Sequence, residues 1–500
     1  MRISKFLIML SLPFLMLSCF SDKSTDATQP ISEITIESGI DSIYNIQKNE
    51  TLVITPKITQ TDNSKALSYT WEIDLVPYSY DEVFTFVGAS LGKYDCRLIV
   101  SNEDGKSFFP FTLYVNSPYE EGITILSKDV QGKSMISFMQ KAVNGEEPHF
   151  VNGDCFAINN PDIDFASGAA DFVQCSGSLI VACQGGGEEN HLPTIYYLNE
   201  KTFVVENMFT VPEYEDFKPT RLAVPSTGYS GTSYPVLCEN GKVYDLSTAE
   251  GVVSKPRKLH STYEQNCIVA DLFYYCLLFW DKENGGLSLM YRGDGPYYCS
   301  SEYHLTLDNP EFATKNYFAN RGLVAMTKIN MTPTQISNAG GDGELLIITN
   351  YSIVARSEVL YTGFWGYDFV NNVQTFPVAS TQQGALINSP INKDTPCIAN
   401  KTYYTLLFAN GNKVRRWKYD TPLTNLVNAP TLLTVGSDNA VITHFEISDD
   451  HKKTYVAFYE PDSTEELNGS VWIFDTDSGE VLERHNNICY QPVKMIYKKK

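Results

Sequence analysis

Few residues in this chain have the type and spacing for chemistry, and each case has a competing structural account. "GASLG", residues 88–92, has the G-x-S-x-G form that puts a serine on a strained turn between a strand and a helix. Past Gly92 the chain runs "KYDCRLIV", which alternates like a strand, so a turn between strands is expected in place of a nucleophile at Ser90. "DTDSGE", residues 475–480, offers Asp475 and Asp477 as carboxylates at i and i+2. An EF-hand calcium loop would need a third ligand where Gly479 stands and a glycine where Glu480 stands, so a hairpin turn is expected. "CQGGGEEN", residues 183–190, is glycine-rich but lacks the Lys-Ser/Thr of a phosphate loop. Glu188 and Glu189 would also repel phosphate, and a flexible loop is the expectation. The seven histidines are scattered, with neither an H-x-H nor an H-E-x-x-H pattern. "RGD" at 292–294 is too short to carry weight. No catalytic residue, metal site or cofactor is expected from these strings, and spacing alone does not reveal a carboxylate pair for glycoside hydrolysis.

Aromatic crowding is the more suggestive signal. "GFWGYDF" carries Phe364, Trp365 and Tyr367, and "GDGPYYCSSEYH" carries Tyr297 and Tyr298. "STGYSGTSYP" adds Tyr229 and Tyr234. An exposed aromatic face stacks on the C–H face of a sugar while nearby carboxylates and amides bond its hydroxyls. Trp365, Phe364, Tyr367, Tyr297 and Tyr298 are therefore the candidate ligand-binding residues. The competing account is that these rings pack between sheets.

One cysteine has a context of its own. Arg2 and Lys5 precede the uncharged run "FLIMLSLPFLML", and the run stops at "SCFSDK". A basic start and a short apolar core make a secretory signal. The run is too short to span a bilayer comfortably. "MLSC", with Ser18 before Cys19, resembles the lipobox of bacterial lipoproteins. That resemblance implies cleavage before Cys19, lipidation of Cys19, and a signal peptide over 1–18. "SDKSTDATQP" then reads as a tether, giving a segment 19–30 between the lipid and the folded chain.

The chain of 500 residues carries a formal charge of −21, made more negative by two if Arg2 and Lys5 leave with the signal. Such a surface repels phosphate backbones, so nucleic acid is excluded as a partner. With 31 tyrosines, 27 phenylalanines and recurrent Gly, Asn, Asp and Ser, the texture is of short alternating strands. No apolar helical period runs beyond two turns, and the expected class is all-β. Ten cysteines follow Cys19 without a C-x-x-C. Several lie within apolar runs, as buried thiols do. Cys175 with Cys183 and Cys267 with Cys276 remain open as disulfides.

Residues 31–116 read as a small sandwich. Leu52, Ile54 and Ile58 share a face by the period of two, as do Tyr69, Trp71 and Ile73. Tyr94, Cys96, Leu98 and Val100 point one way, and "SNEDGKS" turns the chain into a strand bearing Phe109, Phe111, Leu113 and Val115. Short strands around one Trp suit an immunoglobulin-like sandwich. "YTWEID" followed by "GKYDCRLIVSNEDG" resembles the PKD fold, with Tyr69, Trp71, Gly92, Tyr94, Val100, Asn102 and Gly105 on its motif positions. The resemblance implies spacing, adhesion or ligand contact.

Residues 117–500 repeat an apolar strand, a tight turn and a second strand. Copies are "PVLCENGKVYDLSTAEG", "YYTLLFANGNKVRRWKYD" and "KTYVAFYEPDSTEELNGSVWIFDTDSGEVLERH". A repeat of this kind signals a closed array, and at roughly 50 residues per blade a β-propeller of seven or eight blades is expected. "GSVWIFDTDSGEVLERH" resembles the outer hairpin of quinoprotein-like and WD-type blades. The order of parts, with "EGITILSKDVQGKSMISFM" and the closing "VKMIYKKK", resembles the PKD-like family lipoproteins of Bacteroidetes. The resemblance implies an outer-membrane, cell-surface protein that works beside a TonB-dependent importer and a surface-binding lipoprotein in nutrient uptake. A glycan or peptide is the implied ligand, and the periplasmic face stays open. The alternatives are a propeller enzyme, either glycan lyase or hydrolase, and a purely structural or adhesive surface protein.

Overall fold

The computed structural model describes residues 31–141, 149–151, 153–175, 177–212, 214, 216–222, 233–247, 252–253, 389–419 and 421–499. Between Val269 and Gly384 it describes the strand backbones, with side chains at Trp280 and 322–327. The chain divides into two compact units, the first ending at Ser117 and the second running from Pro118.

The first unit is an immunoglobulin-like β-sandwich. Its five-stranded sheet runs in the order Ile43–Gln47, Lys106–Asn116, Gly92–Ser101, Ser68–Ile73, Val76–Ser79. The pairs Ile34–Ser38 with Lys57–Gln60 and Thr51–Ile54 with Phe84–Val87 complete it. The predicted alternation is the observed one, with Cys96, Leu98, Val100, Phe111, Leu113 and Val115 all buried. Trp71 is fully enclosed, packed on Phe84 and edge-on to Phe111, and its Nε1–H donates to the Asp81 carbonyl at 2.9 Å. Asn102 closes the "SNEDG" turn, its Oδ1 accepting the amides of Asp104 and Gly105. Ser90 lies in the turn between strands Phe84–Val87 and Gly92–Ser101, with no helix after it, so no nucleophile elbow forms.

The second unit is a β-propeller. Among the described residues it holds seven four-stranded antiparallel sheets in chain order, here blades 1 to 7. Blades 2 to 4 cover Ala169–Cys175 to Val205–Thr210, Pro219–Leu222 to Val252–Val253, and Val269–Phe273 to Glu302–His304. Blades 5 to 7 start at Arg321–Lys328, Cys397–Asn400 and Val441–Ile447. A short three-stranded sheet accompanies them. Blade 1 joins the two ends of the unit. The C-terminal strand Gln491–Lys498 is its innermost strand, pairing with Gly122–Lys128, which pairs outward with Ser134–Gln140 and His149–Val151. The first strands of blades 7, 1, 2 and 3 pack side by side, as do those of blades 4 to 7, and so ring an axis.

Apolar clusters lie between neighbouring blades. One joins Leu126, Ile136 and Phe138 of blade 1 to Phe172, Val181 and Tyr196 of blade 2. Another joins Leu407 and Val414 of blade 6 to Ile442, Val456 and Phe474 of blade 7. A blade therefore buries both faces only when it has neighbours, and closure of the ring removes the exposed ends.

A Cys175–Cys183 bridge is excluded. The hairpin register sets Cys175 against Ser178 and Cys183 against Ala169, at opposite ends, and both are free thiols. Cys267 lies outside the described residues, and Cys276 is described in backbone only. "DTDSGE" is the expected turn, Asp475 Oδ1 accepting from Asp477 N, Ser478 N and Ser478 Oγ.

Candidate functional site: a groove between blades 1 and 2

Successive strands of a blade alternate in direction. The links between blades therefore emerge at the same face as the turns between second and third strands. Three such segments meet at blades 1 and 2. They are the turn 129–133, the segment 154–167 with its short helix Cys155–Asn159, and the loop 184–193. Together they enclose a groove of about 680 Å³, within the usual range for a small-ligand site.

Each wall is fixed by local chemistry. Asp129 Oδ1 accepts the amides of Gln131 and Lys133, holding that turn. Asp154 caps the helix, its Oδ1 accepting from Phe156 N at 2.9 Å and Ile136 N at 3.3 Å. Burial raises the Asp154 carboxyl above its ordinary range, and those amide bonds oppose the rise. Phe156 is fully buried and carries Phe165 stacked on it, centroids 4.0 Å apart and planes at 9°, with Phe165 half-buried in the groove wall. Tyr196 closes on both rings edge-on, donates from its hydroxyl to the Asp164 carbonyl and accepts the Ala166 amide. Burial pushes the Tyr196 hydroxyl up to about 12, so it stays protonated.

The "CQGGGEEN" loop takes the form of a closed hairpin. Gly185, Gly186 and Gly187 have φ of +78°, +84° and +72°, the left-handed region that side chains disfavour. Gly186 and His191 exchange backbone hydrogen bonds at 2.8 and 3.0 Å. The result sets Glu189 and His191 over Ser167. The Ser167 amide donates to His191 Nδ1 at 3.3 Å, so Nδ1 presents its lone pair and Nε2 bears the proton. That Nε2–H faces Glu189 Oε2 at 3.0 Å. Ser167 Oγ lies 3.2 Å from the same Nδ1. Asp164 completes a group with Glu189 and His191 whose ligand-type atoms lie within 4.8 Å of one another.

Two chemistries are open to this cluster. Asp164 and Glu189 are hard oxygen donors for a divalent cation, but His191 joins them only by giving up its bond to Glu189 and changing tautomer. Alternatively, the imidazole accepts a proton from Ser167 while Glu189 orients it, the order of a serine, a base and a carboxylate. Ser167 is only 7% exposed, and Glu189 is largely in water.

None of these residues was singled out on sequence as a binding residue. The signals were present only as a glycine run and an E-x-H spacing. Asp164 and Ser167 come from a different segment, and the fold alone brings them in. Cys19, Tyr297, Tyr298, Phe364 and Trp365 lie outside the described residues. Tyr367 is described in backbone only, in the strand Tyr367–Asp368.

No family model and no curated protein matches the chain. Among solved structures, a quinoprotein alcohol dehydrogenase-like protein from Bacteroides thetaiotaomicron aligns over 93% of this chain and 99% of its own, at 13% identity and a TM-score of 0.46. The β-propeller domain of Swd1 from Myceliophthora thermophila aligns over 64% of this chain and 88% of its own, at 11% identity and a TM-score of 0.36. Likeness this distant transfers neither ligand nor activity. The propeller rests on the sheet order and the closure of blade 1.

Proposed function

We propose that the protein is a lipid-anchored envelope protein that binds a nutrient, a glycan or a peptide, through its propeller. The observation that carries this reading is the groove between blades 1 and 2, where the half-buried ring of Phe165 stands among Asp129, Lys133, Asp164 and Glu189. An apolar ring beside carboxylates is the pairing that sugar recognition needs, and a groove of about 680 Å³ also has the volume for a peptide side chain. The anchor belongs to the proposal through the "MLSC" context of Cys19, and docking to a neighbouring importer extends it.

Glycan and peptide arrays probed with the purified chain test the binding. We expect retention of a ligand without turnover, and a loss of about tenfold or more in Phe165→Ala, measured well below the melting transition of a variant that the lost stacking on Phe156 will itself destabilise. Equal binding by the variant removes the groove from the reading. Cys19→Ala should shift the protein from the membrane to the soluble fraction, and a variant that stays with membranes after a high-salt wash refutes the anchor.

The Ser167–His191–Glu189 chain favours a second reading, a hydrolase acting by acyl transfer at Ser167. Product release on the same arrays, abolished by His191→Ala, would establish it in place of simple capture.

A further inference from the structure

The innermost strands of the propeller share an irregularity. In blades 1, 2, 3, 5 and 7 one residue of this strand bulges out of its ladder, respectively Val493, Ala170, Thr220, Val324 and Thr443. The residue after the bulge is Lys494, Asp171, Arg221, Ala325 or His444. Blades 7, 1, 2 and 3 are consecutive around the ring. His444, Lys494, Asp171 and Arg221 therefore occupy one structural position in four adjacent blades and form an arc at one level of the axis. In blades 2, 3 and 7 that level lies near the start of the inner strand, toward the face that carries the groove.

The charges of the arc do not balance. Asp171 is 1% exposed and well supplied, its Oδ1 taking Lys494 Nζ at 2.7 Å and the Phe172 amide at 2.9 Å, its Oδ2 the Leu222 amide at 2.7 Å. Arg221 Nη1 stands 3.7 Å from Oδ1, beyond hydrogen-bond distance, and its side chain is one-third exposed. An inner strand has a blade against each face and its own sheet along one edge, which leaves its other edge turned toward the axis. Burial first, then the charges of Lys494 and Arg221, push His444 down to about 3, so the ring is neutral at pH 7. Two cations thus share one carboxylate, and among the described residues the guanidinium keeps unused donors, inside a chain of formal charge −21. Glu446, two residues beyond His444 and half-buried, adds a carboxyl that burial pushes up to about 7.

We infer that this arc is a binding site for a small carboxylate anion, held by the Arg221 guanidinium with Lys494 beside it, at the axis of the propeller. The guanidinium matches a carboxylate with two parallel N–H donors. Lys494, Arg221 and Asp171 sum to one positive charge, which a partly ionised Glu446 offsets only in part, so a monoanion suits the arc and a dianion would add repulsion from Asp171 and Glu446. His444 supplies a neutral ring at the rim. The site is separate from the groove and does not depend on what the groove binds.

The test is titration of the full chain with sodium acetate, sodium glucuronate, glucose and sodium sulfate, followed by calorimetry. Saturable binding of acetate and glucuronate, with none of glucose and weaker binding of sulfate, is the expected result. Acetate and glucuronate of equal affinity mean that a free carboxylate suffices, and tighter glucuronate means that a sugar acid is read. Arg221→Met should weaken either carboxylate by about tenfold or more at an unchanged melting temperature, and Arg221→Lys should weaken it less. Hydrogen exchange on the unmutated protein gives a second readout, with carboxylate protecting strands 169–175, 219–222 and 441–447. No saturable carboxylate binding, equal binding by Arg221→Met, or sulfate bound as tightly as acetate overturns the inference.

Discussion

Lys498 puts an ammonium group where little water reaches it. The residue is 1% exposed, and its Nζ donates to the Tyr119 carbonyl. It stands 5.7 and 5.8 Å from the ring centres of Phe138 and Phe203. The π-faces and one carbonyl replace a hydration shell only in part. Burial accordingly pushes the Lys498 amine down to about 8 from 10.5. Below pH 8 the amine is charged in the folded and the unfolded chain alike, and its burial cost is fully present. From about pH 8 toward 10.5 the folded protein loses the proton first, so the unfolded state binds more protons and stability rises with pH. The total gain is at most about 3 kcal/mol. Lys498→Met should lack this rise. Urea midpoints of the two proteins at pH 7 and pH 10 check it, and parallel pH profiles would show that Lys498 is not desolvated.

At the scale of elements, the sequence revealed hairpins better than inner strands. "PVLCENGKVYDLS" and "TLLFANGNKVRRWK" form the second and third strands of blades 3 and 6, and "GSVWIFDTDSGEVLERH" forms the outer hairpin of blade 7. The leading strand of each hairpin carries a continuous apolar run that ends in a tight turn, so a local window suffices to find it. The inner strands are shorter or mixed in character. "PTRL" has four residues, and "QPVKMIYK" places lysines among apolar residues. A bulge also shifts the alternation by one, so period two fails across it. The arc of His444, Lys494, Asp171 and Arg221 was illegible for this reason. In the sequence each is a single polar residue in a short or mixed strand, and only a common post-bulge position relates them. The groove was hidden by a different cause. Phe165, Ser167 and His191 become neighbours through two connecting segments and three left-handed glycines, and no periodicity marks such a contact.

At the scale of the whole propeller, one strand connects what the chain separates most. Gln491–Lys498 pairs with Gly122–Lys128, so ring closure requires two ends of the unit to meet. That long-range pairing costs loop-closure entropy and is compensated only when the neighbouring clusters form. Val493 and Ile496 pack into the cluster between blades 1 and 2, and Met495 is buried in the cluster between blades 7 and 1. Lys494 from the same strand neutralises the buried Asp171. A chain ending at Tyr490 would lose two apolar seals at once and leave Asp171 without its nearest cation, a class of change that costs several kcal/mol on its own. We expect this truncation to abolish the cooperative thermal transition of the propeller. The sandwich has its own core around Trp71 and Phe84, so it should persist as a protease-resistant fragment near residues 31–117. Limited proteolysis with mass spectrometry, alongside calorimetry, reads both outcomes. A truncated chain that keeps the intact propeller transition would mean that the blades hold together without closure. Joint loss of the sandwich would mean that the first unit draws its stability from the second.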